Sequence, residues 1–285
     1  MGSFKIVTAS HERSLHEIVV NCQQEDIMAL SYKEMQHTLM EELRLYHFPI
    51  AVKFFFDQKE IDQFKKDHEY YTPVKPMTFC QWEIAARMKG QIVYAEQEGL
   101  GCTNSQCSFG WKDIDDKEIK SHLKYVKDEA QAERFVRSKP RLKPGLIGVV
   151  VAPLGDIKFV PDTVHFYCDN MQAYHLAVDW MAATDNHPMR PNITMNSSAC
   201  AGNVYVYNEK LANTLPACSG SYNAGKTERG ETNFIIPGEH LEPLVQRLLE
   251  RKEKLGSSSI TRPGDAFPGA DICKNCPLIV FKKAS

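Results

Sequence analysis

Short apolar runs of strand length alternate along this chain with longer amphipathic segments. Pro49–Phe56 and Leu146–Ala152 are of the first kind, because they are short, mostly apolar and rich in Val, Ile and Phe. Leu241–Leu255 is of the second kind, with apolar residues three and four positions apart. This alternation predicts an α/β (or α+β) fold with mixed sheets and flanking helices.

Two changes in composition divide the chain. Weak periodicity at the start predicts an N-terminal arm at 1–30, and the segment Pro140–Pro144 marks a boundary further on. We therefore expect a first α/β lobe at 31–140 and a second α/β lobe at 141–256. A C-terminal tail at 257–285 is rich in Gly, Pro and Ser and carries a Cys-x-x-Cys motif.

The two lobes resemble each other faintly. In the first, a strand precedes a helix with Gln81 near its start, and Cys102 follows a second strand. In the second, a helix with Gln172 near its start precedes a strand and Cys200. Two pseudo-repeated lobes from a duplication are one interpretation. The alternative is coincidence, since strand–helix–strand units recur throughout α/β folds.

Charge and hydropathy exclude two classes of partner. The formal net charge is -2, and basic and acidic residues are interspersed, so the basic patch of a nucleic-acid-binding protein is missing. The chain begins without an apolar signal segment and has no run long enough to span a membrane. We expect a cytoplasmic protein without membrane insertion.

Nine cysteines in such a chain require an explanation. Structural disulfides are rare in a reducing cytoplasm, and some free cysteines act as small core hydrophobes, which is our interpretation of Cys22 and Cys168. The other cysteines lie beside Gly, Pro and Ser, which is typical of turns. Thiolate is a strong ligand for zinc and for iron–sulfur clusters, so these cysteines are candidate metal ligands.

Two groupings of the cysteines are open from spacing alone. One is a dispersed set of four: Cys80, Cys102, Cys200 and Cys218. The other combines Cys102 and Cys107 with the tail pair Cys273 and Cys276. A Cys-x-x-Cys turn lets two thiolates reach one metal, but Cys102 and Cys107 are spaced too widely for a standard zinc knuckle.

A set of short motifs resembles a known family. The chain is similar to the uncharacterised family called domain of unknown function 169 over roughly residues 35 to 250, and the order of the motifs makes the match specific. The matching segments are Pro49–Phe54, Phe79-Cys80, Ala85-Ala86, Gly101-Cys102, Val150–Leu154, Pro161-Asp162, Gln172, Ser198–Cys200, Cys218–Gly220, Glu231 and Ile236-Pro237. Where the family has Arg two residues after its Cys-x-Gly, this chain has Ser221-Tyr222 after Gly220.

The resemblance implies which cysteines carry the metal role. Cys80, Cys102, Cys200 and Cys218 are the shared cysteines, and we expect them to hold an iron–sulfur cluster of the [4Fe-4S] type, with zinc as the alternative. Cys107, Cys273 and Cys276 are then secondary candidates for a second site.

Further residues are candidates for a pocket. Asp169, Asn170 and Gln172 follow a predicted strand, where ligands of α/β folds gather, although turn chemistry explains Asp and Asn equally well. His165 lies in that strand and is either a site residue or an ordinary core histidine.

Gly220–Thr227 fits the P-loop pattern, but it follows a poor strand and precedes an apparent strand rather than a helix. Nucleotide hydrolysis is therefore disfavoured, and Lys226 remains a candidate for binding an anion.

These features give a favoured function and two alternatives. The favoured one is a cytoplasmic iron–sulfur protein of redox or anaerobic metabolism, either an oxidoreductase or a cluster-dependent lyase. The alternatives are a non-catalytic accessory subunit of a partner enzyme and a zinc-stabilised protein. A redox partner, a larger enzyme complex or a homo-oligomer would fit the first two. Sequence alone defines neither the substrate nor the reaction.

Overall fold

The protein is described by a computed structural model that covers residues 30–185, 188–194 and 196–255. The expected arm, the expected tail, and Cys22, Cys273 and Cys276 lie outside these residues. The described helices are α1 (Tyr32–Glu42), α2 (Gln58–Asp67), α3 (Phe79–Lys89), α4 (Thr103–Ser108), α5 (Asp116–Ser121), α6 (Glu129–Arg137), α7 (Asn170–Ala183), α8 (Ser198–Glu209), α9 (Ser219–Asn223) and α10 (Leu241–Leu255). The strands are β1 (Ile50–Phe55), β2 (Val93–Ala95), β3 (Gly148–Pro153), β4 (Thr163–Cys168), β5 (Asn213–Pro216) and β6 (Thr232–Pro237).

The strands form a six-stranded sheet in the order β2-β3-β1-β4-β6-β5. Every pairing between these strands is antiparallel. Isolated parallel bridges join Tyr71 to Val93 and Met77 to Leu100. The predicted α/β (or α+β) class with helices flanking the sheet is confirmed, but the expectation of mixed sheets was wrong, because all the named strands pair antiparallel.

Helices cover both faces of the sheet. Alternate residues of β1 point to opposite faces, so Ala51 and Phe55 pack into one core with α1, α7 and α10. Ile50, Val52 and Phe54 pack into the other core with α3 and α8. Burial on both faces explains why β1 and β3 appear in the sequence as nearly continuous apolar runs.

The sheet has an internal pseudo-two-fold arrangement. The strands of the first half lie in the order β2-β3-β1, and the strands of the second half lie beside them in the mirrored order β4-β6-β5. In the central pair, Ile50 faces His165, Ala51 faces Val164 and Val52 faces Thr163. The axis therefore passes beside Ala51 and Val164, and each half contributes three strands to one continuous sheet.

The registers of the outer strands agree with this symmetry. Ile50 at the start of β1 pairs with Pro153 at the end of β3, and Thr163 at the start of β4 pairs with Pro237 at the end of β6. β3 and β6 are each followed by one 3-10 turn. The two halves are thus built alike, while the sequence boundary near residue 140 separates strands that share one sheet.

The helices before β2 and β5 correspond as well. α3 ends at Gly90 and α8 ends at Lys210, both in the left-handed conformation, and each lies three residues before its strand. Counting back from these ends pairs Cys80 with Cys200, and Cys102 then corresponds to Cys218. The match between Gln81 and Gln172 was wrong: Gln172 belongs to α7, whereas α3 corresponds to α8, whose start carries no glutamine.

Within the residues that the structure describes, no helix combines the length and the apolar character needed to cross a membrane.

Candidate metal centre

The four cysteines of the dispersed set line one pocket. Cys80, Cys102, Cys200 and Cys218 border a cavity of about 230 Å³ on the face of the sheet covered by α3 and α8. A water molecule occupies about 30 Å³ of liquid, so the cavity accepts a group of several atoms. Residues separated by as many as 138 positions in the chain therefore share one site.

All four cysteines lie at helix N-termini. Cys80 is the second residue of α3 and Cys200 is the third residue of α8. Cys102 and Cys218 are the N-cap residues of the short helices α4 and α9. Helix N-termini carry partial positive charge and free N–H groups, which offset part of the cost of burying a thiolate.

Hydrogen bonds across the pocket join the two halves. Cys80 Sγ donates to the carbonyl oxygen of Gly220 at 3.7 Å, and Thr78 Oγ1 lies 3.1 Å from the same sulfur. On the opposite side, the Ser105 hydroxyl hydrogen-bonds the Cys200 sulfur. Each half therefore contacts a cysteine of the other half.

The pKa values of Cys80, Cys200 and Cys218 are not shifted in the same direction. Burial raises the pKa of Cys80 to about 12, against a weaker lowering by the Thr78 hydroxyl. Burial also raises the pKa of Cys200, and the neighbouring Cys102 raises it further. Without a cation in the pocket, these two sulfurs carry protons at neutral pH.

Cys218 behaves in the opposite way. Burial acts to raise its pKa, but hydrogen bonds from the Ser198 hydroxyl and from the backbone N–H groups of Ser221, Ser198 and Ser197 together lower it below the usual value. The Ser221 N–H lies 3.4 Å from Cys218 Sγ. The first residues of α8 and of α9 thus stabilise the thiolate form of Cys218.

Within the described residues, no group of three or more histidine, cysteine or carboxylate side chains is arranged to hold a metal ion. The four cysteines share a pocket, but their sulfurs are not gathered as a single ion would require. Thiolate–zinc bonds are about 2.3 Å long, so four sulfurs around one zinc lie in mutual contact. A cluster of several iron and sulfide atoms holds its cysteines farther apart.

A buried polar network lies behind two of the cysteines. Glu83 Oε1 is 2.6 Å from His165 Nδ1, and the Tyr167 hydroxyl donates to Glu83 Oε2 at 2.6 Å. His165 Nε2 lies 2.9 Å from Asn233 Oδ1, and the Asn233 amide nitrogen donates to the carbonyl of Leu215. Both ring nitrogens of His165 and both carboxylate oxygens of Glu83 therefore have a hydrogen-bond partner inside this buried network.

This network connects the two cysteine helices. Glu83 lies three residues after Cys80, and Asn203 lies three residues after Cys200, so each is one helical turn from its cysteine. The Asn203 amide nitrogen is 3.3 Å from His165 Nδ1. His165 thus contacts α3 and α8 at once, and it fixes the relative positions of the first turns that carry Cys80 and Cys200.

The other predicted residues lie elsewhere. Cys107 is buried on α4, with its sulfur 3.9 Å from the carbonyl of Asp113, and it does not line the pocket of the four cysteines. Asp169 caps α7 and forms a capping box with Gln172. The Gln172 amide donates to the carbonyls of Leu43 and Arg44. Asp169, Gln172 and the adjacent Asn170 are outside the cysteine pocket, and the first two have structural roles that account for them.

The P-loop-like segment is also explained by structure. Its first glycine, Gly220, lies within α9, and the segment leads into β6 rather than into a helix. Lys226 is exposed and has a left-handed φ of 52°. Its carbonyl accepts a hydrogen bond from the buried Arg87 at 2.9 Å, so the backbone here anchors α3.

Sequence reasoning missed several residues beside the cysteines. Asn104 and His122 line the pocket, and Lys139 lies behind them with hydrogen bonds to both. Glu83 was missed as the partner of His165. The sequence did offer a signal for Glu83 and Asn203. Each lies three residues after a cysteine, so it shares a helix face with that cysteine.

The comparisons with known proteins concern the same part of the chain. A family model described as uncharacterised ArCR, domain of unknown function 169, matches residues 38–247, which include the four cysteines of the pocket. An uncharacterised protein of Methanocaldococcus jannaschii is 24% identical over 222 residues, or 76% of this chain and 93% of that protein. No solved structure matches the chain. The chain therefore belongs to the family called domain of unknown function 169.

Proposed function

We propose that this protein is a cytoplasmic iron–sulfur protein of redox or anaerobic metabolism, with the cluster held by Cys80, Cys102, Cys200 and Cys218. One observation carries the proposal: these four cysteines come from four separate segments and line one pocket of about 230 Å³. Four thiolates are the usual ligand set of an iron–sulfur cluster.

The site fits a cluster better than a single ion. Its volume accepts several atoms, whereas the described residues contain no group arranged to hold one ion. Backbone N–H groups bond the Cys218 sulfur, hydroxyl groups bond those of Cys80 and Cys200, and hydrogen bonds to sulfur tune cluster potentials. Zinc remains the alternative cofactor.

Burial and hydrogen bonding within the protein determine the pKa values of three cysteine ligands. Cys218 is stabilised as a thiolate, whereas the raised pKa values of Cys80 and Cys200 keep those groups protonated. Binding of a metal group must displace these protons, so it releases acid and tightens as the pH rises. When bound, a cluster held by all four cysteines would supply electron transfer, whereas Lewis-acid chemistry would need one iron without a cysteine ligand.

The test is anaerobic purification followed by a visible spectrum and by iron, sulfide and zinc assays on one sample. We expect broad visible absorption with iron and sulfide in comparable amounts. A colourless sample with stoichiometric zinc would replace the cluster with a structural zinc. A colourless sample without metal, even after anaerobic reconstitution with iron and sulfide, would refute the proposal.

A second candidate function follows from Cys218 alone. A half-buried cysteine with a lowered pKa at a helix N-terminus is a typical nucleophile or redox-active thiol. In that case Cys218 would react without metal, and Cys80 and Cys200 would serve as protonated neighbours. The metal assays separate the two candidates, because a metal-free thiol enzyme contains neither iron nor sulfide after anaerobic reconstitution.

A further inference from the structure

One wall of the cysteine pocket has no counterpart in the other half. The chain between Cys102 and β3 forms α4, α5 and α6, whereas the chain between Cys218 and β6 forms only α9. The longer segment lines the pocket with amide, hydroxyl, imidazole and ammonium side chains: Asn104, Ser105, Ser121, His122, Lys124 and Tyr125. Of the described residues that border the pocket, none is Asp or Glu.

A buried lysine organises this wall. Lys139 is 6% exposed, and its Nζ lies 2.6 Å from Asn104 Oδ1 and 2.9 Å from His122 Nε2. His122 Nδ1 lies 2.9 Å from the carbonyl oxygen of Glu118, which can only accept, so Nδ1 donates and Nε2 accepts from Lys139. Both acceptors around Nζ therefore suit an ammonium group.

This arrangement decides which face Asn104 presents to the pocket. Its Oδ1 is occupied by Lys139, so the group that remains for the pocket is the amide NH₂, a donor. Lys124 adds a cation at the rim. This wall thus presents the Asn104 amide donor and the Lys124 ammonium group to the pocket, with Lys139 behind it.

A serine with strained backbone, Ser197, also lines the pocket and supports a ligand-binding role. Ser197 is 4% exposed, and its hydroxyl has no hydrogen-bond partner in the part of the chain that the structure describes. Its φ of 74° is left-handed, which is costly for a residue with a side chain and is typical of functional sites. A buried, unpaired hydroxyl beside the pocket is a further group that a ligand can satisfy.

We propose that the pocket binds a small oxyanion beside the metal group, with Asn104 as a donor to the anion and Lys139 as the positioning residue that orients Asn104 and His122. This inference rests on the proposed function for the metal group, but its donor wall consists of this chain's own residues. An organic carboxylate and inorganic phosphate share the required chemistry, and the experiment distinguishes them.

The test is calorimetric titration of succinate and of phosphate into anaerobically purified protein, before and after removal of metal by a chelator. Asn104→Asp keeps an oxygen for Lys139 but replaces the amide donor with a charged acceptor. We expect it to weaken binding by about ten-fold or more, since a charge-assisted hydrogen bond is lost and a repulsion is added. Lys139→Met should weaken binding similarly, and the exposed Lys117→Met should leave it unchanged.

The outcomes separate this inference from the proposed function. Binding of succinate alone identifies an organic carboxylate, and binding of phosphate alone identifies an inorganic anion. If iron and sulfide are present but neither anion binds, or if Asn104→Asp binds as well as the unaltered protein, the inference is wrong and the cluster proposal stands. If no metal is found but the metal-free protein binds an anion through Asn104, the cluster proposal fails and the oxyanion site stands.

Discussion

The two halves of the sheet are built alike but surround their cysteines differently. In both, a strand leads to a helix that carries one cysteine, and a second strand leads to an N-cap cysteine. The first half then inserts α5 and α6 before its last strand, whereas the second half returns almost directly to β6. The shared architecture brings the four sulfurs together, and the insertion supplies His122 and Lys139.

The comparison also extends to the electrostatics of equivalent positions. Cys80 and Cys200 are equivalent, and burial raises the pKa of both. In spite of burial, hydrogen bonds from the Ser198 hydroxyl and from backbone N–H groups of α8 and α9 lower the pKa of Cys218. Symmetry of the backbone thus supplies the ligands, while asymmetry of the side chains decides which is ionised.

The largest expected effect comes from removing any one of the four cysteines. If both halves contribute ligands equally, Cys80→Ser, Cys102→Ser, Cys200→Ser and Cys218→Ser should each lose most of the bound iron and sulfide, because hydroxyl is a poor replacement for thiolate. The measurement is iron and sulfide content with the visible spectrum.

Cys107→Ser is the matched control. Cys107 lies on α4, the helix that Cys102 caps, but it does not line the pocket. It should retain the full metal content. Loss of metal in only the two variants of one half would contradict a shared site.

The next effect concerns the equivalent residues Glu83 and Asn203. Glu83→Ala leaves His165 and Tyr167 without their buried acceptor and should destabilise the protein by about 3–5 kcal/mol. Asn203→Ala removes hydrogen bonds of a neutral amide and should cost about 1–3 kcal/mol. Urea denaturation measures both.

Glu250→Ala removes an exposed ion pair with Arg247 and should change stability by less than about 1 kcal/mol. Equal losses of stability for Glu83→Ala and Asn203→Ala would show that the Glu83 carboxylate contributes no more to the network than the neutral amide of Asn203.

Alkylation of the metal-free protein tests the difference in pKa between Cys80 in the first half and Cys218 in the second half. At pH 8, a thiol with a pKa of about 12 is ionised in on the order of one molecule in ten thousand, so Cys80 should react very slowly with iodoacetamide. Cys218, with its lowered pKa, should react at least about ten-fold faster even after allowance for its lower intrinsic nucleophilicity. Peptide mass spectrometry identifies the modified residue, and the Cys80 rate should rise with pH up to its pKa. Equal rates at pH 8 would refute the assignment.

The smallest effect concerns the two equivalent helix ends. Gly90→Ala places a side chain at a φ of 66° and should destabilise by about 1 kcal/mol, and the added Cβ meets only Phe48 at 3.8 Å. Lys210→Gly relieves a φ of 56° and should change stability in the opposite direction by up to about 1 kcal/mol. Thermal denaturation measures both. Changes of the same sign would argue against equivalent C-caps.

Much of the fold could be predicted from the chain because the patterns are local. The apolar runs at β1 and β3, the capping residue Thr78 of α3 and the glycine at its end are all visible in the sequence. The pairing of α3 with α8 was not visible, because Lys210 occupies the position where the first half has glycine. Asp169 and Gln172 were interpreted as pocket residues because a capping box and a binding loop use the same residue types.

The sequence by itself determined the class of fold and the cysteines worth following, because period and turn chemistry are short-range properties. Only the tertiary structure decided that Cys80, Cys102, Cys200 and Cys218 border one pocket, since their meeting depends on the order of strands in the sheet. It also decided that His165 contacts both cysteine helices and that Lys139 lies behind the pocket wall. Burial and hydrogen-bond partners set the charge of such groups, and both are supplied by residues far away in the chain.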